Sequence, residues 1–479
     1  METTDVLIVG AGPTGLALGI DLARRGVAAR LVERADALFP GSRGKGIQPR
    51  TQEVFDDLGV IDAVLASSGP YPDRMVWRDG ERVGEESMFE RFEPDAGTPY
   101  PAPRMIPQWR TQEILYARLT ELGGKVAFGR EVTGLTQEAD GVDVAFADGT
   151  TVRARYVVGA DGGRSGIRRA LGVGMTGETV DPAPFVVADL RLRGLDRVHW
   201  HAFPAADGSI LGLCPLAGTE EFQLAARLPE GSEPEVSPDG VRELVARYTH
   251  LAAEDVTEVR WASEFRPRAA LADRFRVGRV FLAGDAAHVH SPAGGQGLNT
   301  SVQDAYNLGW KLAAVLNGAP ENLLETYEEE RRANAAAVLE LSTGVHRGEV
   351  QRGRATVQLG VGYRDSSLSA ETRTDPGPVR AGDRAPDAEV SGDAEMSGDA
   401  EVSGDAEVSG GRLFDLFRGP HWTLLGATAP PRAGVRTLPS APESYGPGVF
   451  LIRPDGYVGW AGETATEDLA AYLDGVGIR

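Results

Sequence analysis

The chain opens on an apolar, β-branched run, Val6-Leu7-Ile8-Val9, that ends in glycines and leads into a helix-like stretch from Pro13 to about Arg25. A second such run, Ala28 to Val32, stops at Glu33 and Arg34. A strand, helix and strand in this order predict a parallel sheet with a right-handed crossover. Helical patterns follow over 51–58 and 109–122, then strand patterns at 125–128, 142–146 and 151–158, with Ala147-Asp148-Gly149 as a hairpin turn. Between 185 and 264 the runs shorten, and 185–192, 199–203, 209–215 and 221–228 read as an antiparallel sheet inserted in the first domain. Long helices are predicted from about Val302 to Leu316 and from Glu325 to about Val345. The charge run Glu328 to Arg332 in the second of these reads as a solvated helix face.

Residues 387–410 are four tandem hexapeptides, Asp-Ala-Glu-Val-Ser-Gly with Met396 as the one variant. Their eight acids and lack of bases predict a disordered acidic insert, because so little apolar area cannot repay the cost of ordering. Beyond it, 422–425 and 449–452 are strand-like, and Arg453-Pro454-Asp455-Gly456 forms a turn into 457–460. The expected division is therefore 1–180 and 269–380 as two parts of one domain, 181–268 as an inserted sheet, and 381–479 as a small C-terminal domain interrupted at 387–410.

Composition narrows the class of function. With 479 residues, 42% of them hydrophobic, the chain can bury a large core. A net charge of −21 argues against nucleic acid and anionic membranes as partners. Cys214 is the one cysteine, which forbids an intrachain disulfide, a Cys-x-x-Cys pair and a thiolate-rich metal site. The start, with Met1, Glu2 and Asp5, lacks a basic region before an apolar one, and no run reaches about 18 apolar residues. A cytoplasmic protein that does not span a membrane is the expectation.

Three glycine-bearing segments carry the candidate chemistry. Gly10-x-Gly12-x-x-Gly15 lies between a strand and a helix, where the first glycine allows a tight turn, the second lets backbone approach a pyrophosphate and the third lets helix pack on strand. The helix N-terminus then faces the anion. Glu33, at the end of the second strand, is placed to accept from ribose hydroxyls, and an acid there disfavours a 2′-phosphate. The second segment runs from Gly159 through Asp161 and Gly162 to Arg168. The third runs from Gly284-Asp285 through His288, His290 and Pro292 to Gly297-Leu298-Asn299, at the mouth of the long helix.

With these three fingerprints in order, the chain resembles the single-component flavin-dependent aromatic hydroxylases typified by p-hydroxybenzoate hydroxylase. Arg43 with Gly44 to Thr51 resembles the family's FAD-contacting loop, and Gln108 stands at the position of a family glutamine near the flavin. The C-terminal part, with 382–386 and 452–457, resembles the thioredoxin-like appendage of the phenol hydroxylase, polyketide hydroxylase and rifampicin monooxygenase branch. The resemblance implies an α/β fold: a Rossmann-like FAD-binding domain, an inserted antiparallel substrate sheet and a thioredoxin-like C-terminal domain without dithiol chemistry. It also implies that FAD is reduced by NAD(P)H and reacts with O2 to form a flavin C4a-hydroperoxide that hydroxylates an aromatic, polyketide-type substrate. Pro292 is implied beside the reactive edge of the flavin. Backbone N–H groups of Gly297, Leu298 and Asn299 would favour negative charge on the reduced ring. Asp285 would bind ribityl hydroxyls, and Arg43 phosphate or flavin. Pro13, Thr14, Arg34 and Val132 complete the implied cofactor contacts.

Bland readings stand beside several of these. Asp161-Gly162 also reads as a plain turn, Asp285 as a turn or cap aspartate, and Gln108 as a solvent-facing glutamine at a helix start. His288 and His290 read as structural, and no metal site is expected. His199, Trp200, His201, Phe203, Leu213, Phe222 and Leu224 are alternating candidates for a substrate face, of which half should point away. Other readings are an antibiotic-modifying, rifampicin-type monooxygenase, a flavin-dependent dehydrogenase on the same scaffold, and a non-enzymatic FAD-binding scaffold. A homodimer is compatible with all of them.

Overall fold

Val6, Leu7 and Ile8 have no solvent exposure, and a run buried on both faces belongs in the middle of a parallel sheet. The computed structural model, which describes residues 2–89, 95–390, 411–428, 432–465 and 467–478, places it there. The order across this sheet is Arg276–Val277, Val280–Leu282, Thr151–Gly159, Glu2–Val9, Ala29–Val32 and Val126–Ala127. Glu2–Val9 pairs in parallel with both neighbours, and Thr151–Gly159 with Val280–Leu282, which fixes the carboxyl ends of four strands at one edge of the sheet. Val142–Phe146 extends Thr151–Gly159 antiparallel, and Val132–Gln137 pairs with it in turn.

Two helices anchor that edge. The helix Pro13–Arg24 starts on Pro13, and its N-cap Gly12 offers no side-chain cap. It packs on the helix Gly297–Leu316, where Gly309 lies so close to Asp21 that a Cβ would stand 2.1 Å from the carboxylate. The second helix starts at Gly297, five residues before the expected Val302, so Gly297, Leu298 and Asn299 form its first turn.

The antiparallel sheet has the order Val256–Phe265, Phe185–Leu192, Phe222–Arg227, Ile210–Pro215, Trp200–Pro204, Arg74–Arg78 and Glu81–Glu86. Its last two strands come from residues 74–86, and Arg74–Arg78 joins Trp200–Pro204 in parallel. One face packs Val186, Leu190, Phe203, Leu213, Phe222 and Leu224 against Val241 and Val245 of the helix Pro238–Tyr248.

The C-terminal part is a five-stranded sheet in the order Ala370–Glu371, Val458–Gly462, Val449–Ile452, Trp422–Leu425 and Val435–Leu438. Its turn at 453–456 enters the first domain. Arg453 pairs with Glu330 at 2.6 Å, and Asp455 accepts from Trp310 Nε1 at 3.0 Å. This corrects the reading of 328–332 as a solvated face. Glu330 is buried among Arg453, Lys311 and Asn307, and Arg331 is buried against Asp304 and Tyr363.

The insert also begins later than its repeats suggest. Asp387 and Ala388 are buried, and Glu389–Val390 pairs with Gly411–Arg412, so the two ends of the insert meet in a short ladder. Residues 391–410 lie outside the described residues. No helix among the described residues is long and apolar enough to cross a membrane.

Candidate active site

The first glycine segment is shaped by backbone contact. Gly10 has φ +111°, and a Cβ there would stand 2.3 Å from the Ala160 carbonyl oxygen, which brings the first and second segments together. At Gly15 a Cβ would lie 1.9 Å from the Gly10 carbonyl oxygen. Gly12 differs: a Cβ there would meet nothing within 4 Å, so its outer side is open. Around that opening stand the uncapped N-terminus of Pro13–Arg24 and the buried Thr14. Gly284, with φ +62°, closes the third segment against Thr14, since a Cβ would stand 2.6 Å from its Oγ1.

Glu33 lies at the same sheet edge. Its carboxylate accepts from the N–H of Ala11 at 2.9 Å and of Ala35 at 3.0 Å. Arg34 beside it is exposed, and the N–H of Arg130 donates to the Glu33 carbonyl, which brings the Val132 turn to this end. Val132 is half-buried against the main core. Asp161 uses one carboxylate oxygen to accept from Gly166 and Ile167 N–H at 2.7 and 3.1 Å, as a turn aspartate does. Its other oxygen is buried without a partner.

Asp285 is solvent-accessible by surface area, yet burial raises its carboxyl above the usual range despite His288 and Arg43. Both hold for a group lining a recess inside the molecule. Arg43 faces the same recess: burial lowers it, Asp285 opposes that shift, and Phe39 lies 5.1 Å under its guanidinium.

The mouth of Gly297–Leu316 is tied to the 43–48 loop. The Asn299 side chain accepts from Gln48 N–H at 2.8 Å and donates to the carbonyls of Gly46 at 2.9 Å and Gly295 at 2.8 Å. Gln108 Oε1 accepts from Gly44 N–H at 3.0 Å, so it holds the loop and is not a free surface group. Leu298 lies against the same glycine, 3.4 Å from where a Cβ would stand. Pro292 is exposed one turn before the helix.

Behind this mouth lies a chain of buried groups that spacing alone did not reveal. Asp304 accepts from Gly284 N–H at 2.9 Å and Arg331 Nε at 2.7 Å, and its other contact is His288 Nε2 at 2.5 Å. Burial pushes the Asp304 carboxyl up, but His288 and Arg331 outweigh it and hold it at about 2. His290 follows at 2.9 Å from His288 Nδ1, and burial lowers it well below an ordinary histidine. The histidines thus brace the third segment. Among the described residues no group of three His, Cys, Asp or Glu is placed to hold a metal.

Of the seven candidate substrate-face residues, Phe203, Leu213, Phe222 and Leu224 point into the core under the sheet, and His201 is buried there against Trp77. His199 pairs with Asp196 just before the strand Trp200–Pro204, at 2.9 Å. Trp200 alone faces the 43–48 loop, where Lys45 lies 4.0 Å from its ring centroid. The strand period places Asp189, Cys214 and Gln223 on that face, and the polar members at alternate positions of otherwise apolar strands were the signal available.

Three segments therefore meet around one recess that offers an open glycine turn, two helix N-termini without side-chain caps, an acid at the end of the second strand and a partnerless Asp161 oxygen. This donor set fits FAD. Residues 3–342 match the FAD binding domain family, and 379–476 match the aromatic-ring hydroxylase C-terminal family. A flavin-dependent monooxygenase of Mycobacteroides abscessus is 45% identical over 97% of this chain and 99% of its own. Rifampicin monooxygenase of Rhodococcus hoagii is 37% identical over 70% of each chain. A solved ternary complex of aklavinone-11 hydroxylase with FAD and aklavinone aligns with a TM-score of 0.80 at 30% identity, over 99% of this chain and 98% of the other. A cradle of this geometry, matched over both parts of the chain, makes the protein a member of the FAD-dependent monooxygenase family with an aromatic-ring hydroxylase C-terminal domain.

Proposed function

We propose that the protein hydroxylates a planar, polyketide-type aromatic, with NAD(P)H as electron donor and O2 as oxidant. One observation carries this reading: Gly295, between Pro292 and the helix Gly297–Leu316, lies against Tyr71, whose Oη would stand 4.0 Å from a Cβ there, and Tyr71 packs on Trp200 with rings 6.4 Å apart, so an aromatic wall adjoins the helix mouth. FAD, when bound, supplies the electron and oxygen-transfer chemistry. The chain's own groups bind and orient it. Gly12 and the N-terminus of Pro13–Arg24 would take the pyrophosphate, Glu33 a ribose, and Asp285 with Arg43 the ribityl region. The backbone N–H groups of Gly297, Leu298 and Asn299 would stabilise negative charge on the ring system, because their helix end carries partial positive charge. Pro292, lacking an N–H, would leave the reacting edge unobstructed.

We read the C-terminal sheet with its flanking helices Leu413–Phe417 and Glu467–Gly475 as thioredoxin-like and structural, since the one cysteine, Cys214, lies buried in the antiparallel sheet. A panel of phenols, anthraquinones, tetracyclines and rifamycins, scored for NAD(P)H consumption above the substrate-free rate, tests the function. Stimulation by at least one fused-ring phenol is expected. Bound flavin with no stimulation by any member would contradict the reading.

A further inference from the structure

Lys45 is a half-buried cation that forms no ion pair among the described residues. It leaves the 43–48 loop toward the antiparallel sheet, donates to Gln223 Oε1 and lies 4.0 Å over the Trp200 ring. Gln223 in turn donates to the Ser42 carbonyl, which fixes the amide that holds the ammonium. Burial lowers the Lys45 ammonium, and Arg352 adds to that shift. The charge of the half-buried Arg352 also lowers Tyr71, and its Nη1 is buried without a hydrogen-bond partner. Among the described residues neither cation forms an ion pair.

The acids nearby do not compensate for this charge. Asp189 is buried with both oxygens partnerless, and burial raises its carboxyl to about 7. Cys214 is pushed up to about 11 by burial, so it is a neutral thiol. Two cations thus face a pocket whose acids are partly or wholly neutral. Charge partly withdrawn from solvent gains from an anion that can pair with it.

The pocket adjoins the cofactor cradle. A Cβ on Gly46 would stand 3.6 Å from Tyr71 Oη, and one on Gly295 would stand 4.0 Å from it. Tyr71 therefore lies between the 43–48 loop and the turn after Pro292. Phe89 continues the aromatic wall 5.7 Å from Tyr71. Flat faces and unpaired cations together select a flat anion.

We infer that Lys45, backed by Arg352, forms a subsite that binds a ring oxygen of the aromatic substrate as its oxyanion, a phenolate or enolate, with the ring against Trp200 and Tyr71. The inference rests on the function proposed above and names the ionisation state of its substrate. On binding, the phenol's proton leaves to solvent and the ring retains the electron pair on oxygen. That pair raises ring electron density at the positions ortho and para to it, where an electrophilic oxygen donor attacks. The subsite would thus do the work of a general base without a base in the site.

The test uses FAD-loaded protein and alizarin, a hydroxyanthraquinone whose colour reports its ionisation, beside its dimethyl ether, which lacks the ionisable hydroxyls. Bound to the native protein, alizarin is expected in its anionic colour about one unit or more below the pH at which the free dye turns. Lys45→Met should weaken alizarin binding about 10- to 100-fold and return the colour change to that of the free dye. Lys45→Arg should keep the anionic colour. The ether should bind native protein and Lys45→Met alike, and FAD content should be unchanged.

Alizarin held in its neutral colour, no binding to native protein, equal weakening of the ether, or loss of FAD from Lys45→Met would each overturn the inference. None of these readouts uses turnover. Protein that holds the anion but never stimulates NAD(P)H consumption overturns the proposed function alone, whereas turnover indifferent to Lys45→Met overturns the subsite alone.

Discussion

The candidate cofactor cradle and the proposed substrate recess meet near the Pro292 loop, but they are built from different material. The cradle is backbone: glycines at 10, 12, 15 and 284 set turn geometry, and its candidate anion-binding groups are N–H donors at two helix mouths. The recess is side chain: Lys45, Tyr71, Asp189, Trp200, Gln223 and Arg352 come from segments spread over three hundred residues of sequence. A backbone site tolerates little change because its dimensions are fixed by close contact. A side-chain site can be retuned one group at a time, so under the proposed function specificity would belong to the recess and cofactor retention to the cradle.

The most severe test of that division is Gly15→Val. A Cβ 1.9 Å from the Gly10 carbonyl cannot be accommodated without moving strand or helix, so no flavin-containing protein should be recovered. A yellow, stable Gly15→Val protein would refute the close packing of the cradle. Next comes Glu330→Gln, remote from both sites, which leaves Lys311 buried without its carboxylate and Arg453 with Asp455 alone. Urea unfolding should show a loss of about 3–5 kcal/mol. That outcome would make the C-terminal turn an integral support of the helix Gly297–Leu316.

Asp304 gives a pH test of the bracing behind the cradle. Its carboxyl is held at about 2, below its unfolded value of roughly 4, so the stabilisation is complete above about pH 4 and lost as pH falls toward 2. Stability measured over that window should fall by about 2 kcal/mol more in the native protein than in Asp304→Asn. The mildest change is Gly12→Ala. The Cβ meets open space in the protein, so the stability of the flavin-free form should move by less than about 1 kcal/mol, while FAD binding weakens about tenfold or more. Unchanged flavin affinity would show that the pyrophosphate does not approach Gly12.

What was legible in the chain follows the same division. The strand Glu2–Val9, the helix Pro13–Arg24 and the glycine turn were readable because each requirement is local: an apolar run, a proline at the first helical position, glycine where φ is +111°. The recess was legible only in part: Trp200 stood among the alternating candidates, but which of them face the loop, and that Gln223 joins it, depends on strand register and on which side the helix Pro238–Tyr248 covers. The strands Arg74–Arg78 and Glu81–Glu86 escaped for a related reason. The latter is exposed along its whole length and carries no apolar alternation. Glu330 and Arg331 look like any exposed charge run, since Arg453 and Asp304, which bury them, are distant in sequence. Asn299 shows a third case: its position at a helix mouth was readable, but its side chain's task of joining two loops was visible only in three dimensions.

The proposed function requires oxygen to reach an aromatic ring in the recess. The direct measurement is mass spectrometry of the product formed by FAD-loaded protein with NAD(P)H, a fused-ring phenol and isotopically labelled O2. One labelled oxygen atom on the ring, at a position ortho or para to the ionised hydroxyl, is the predicted result. An unlabelled product, or oxidation without any oxygen gained, would contradict it.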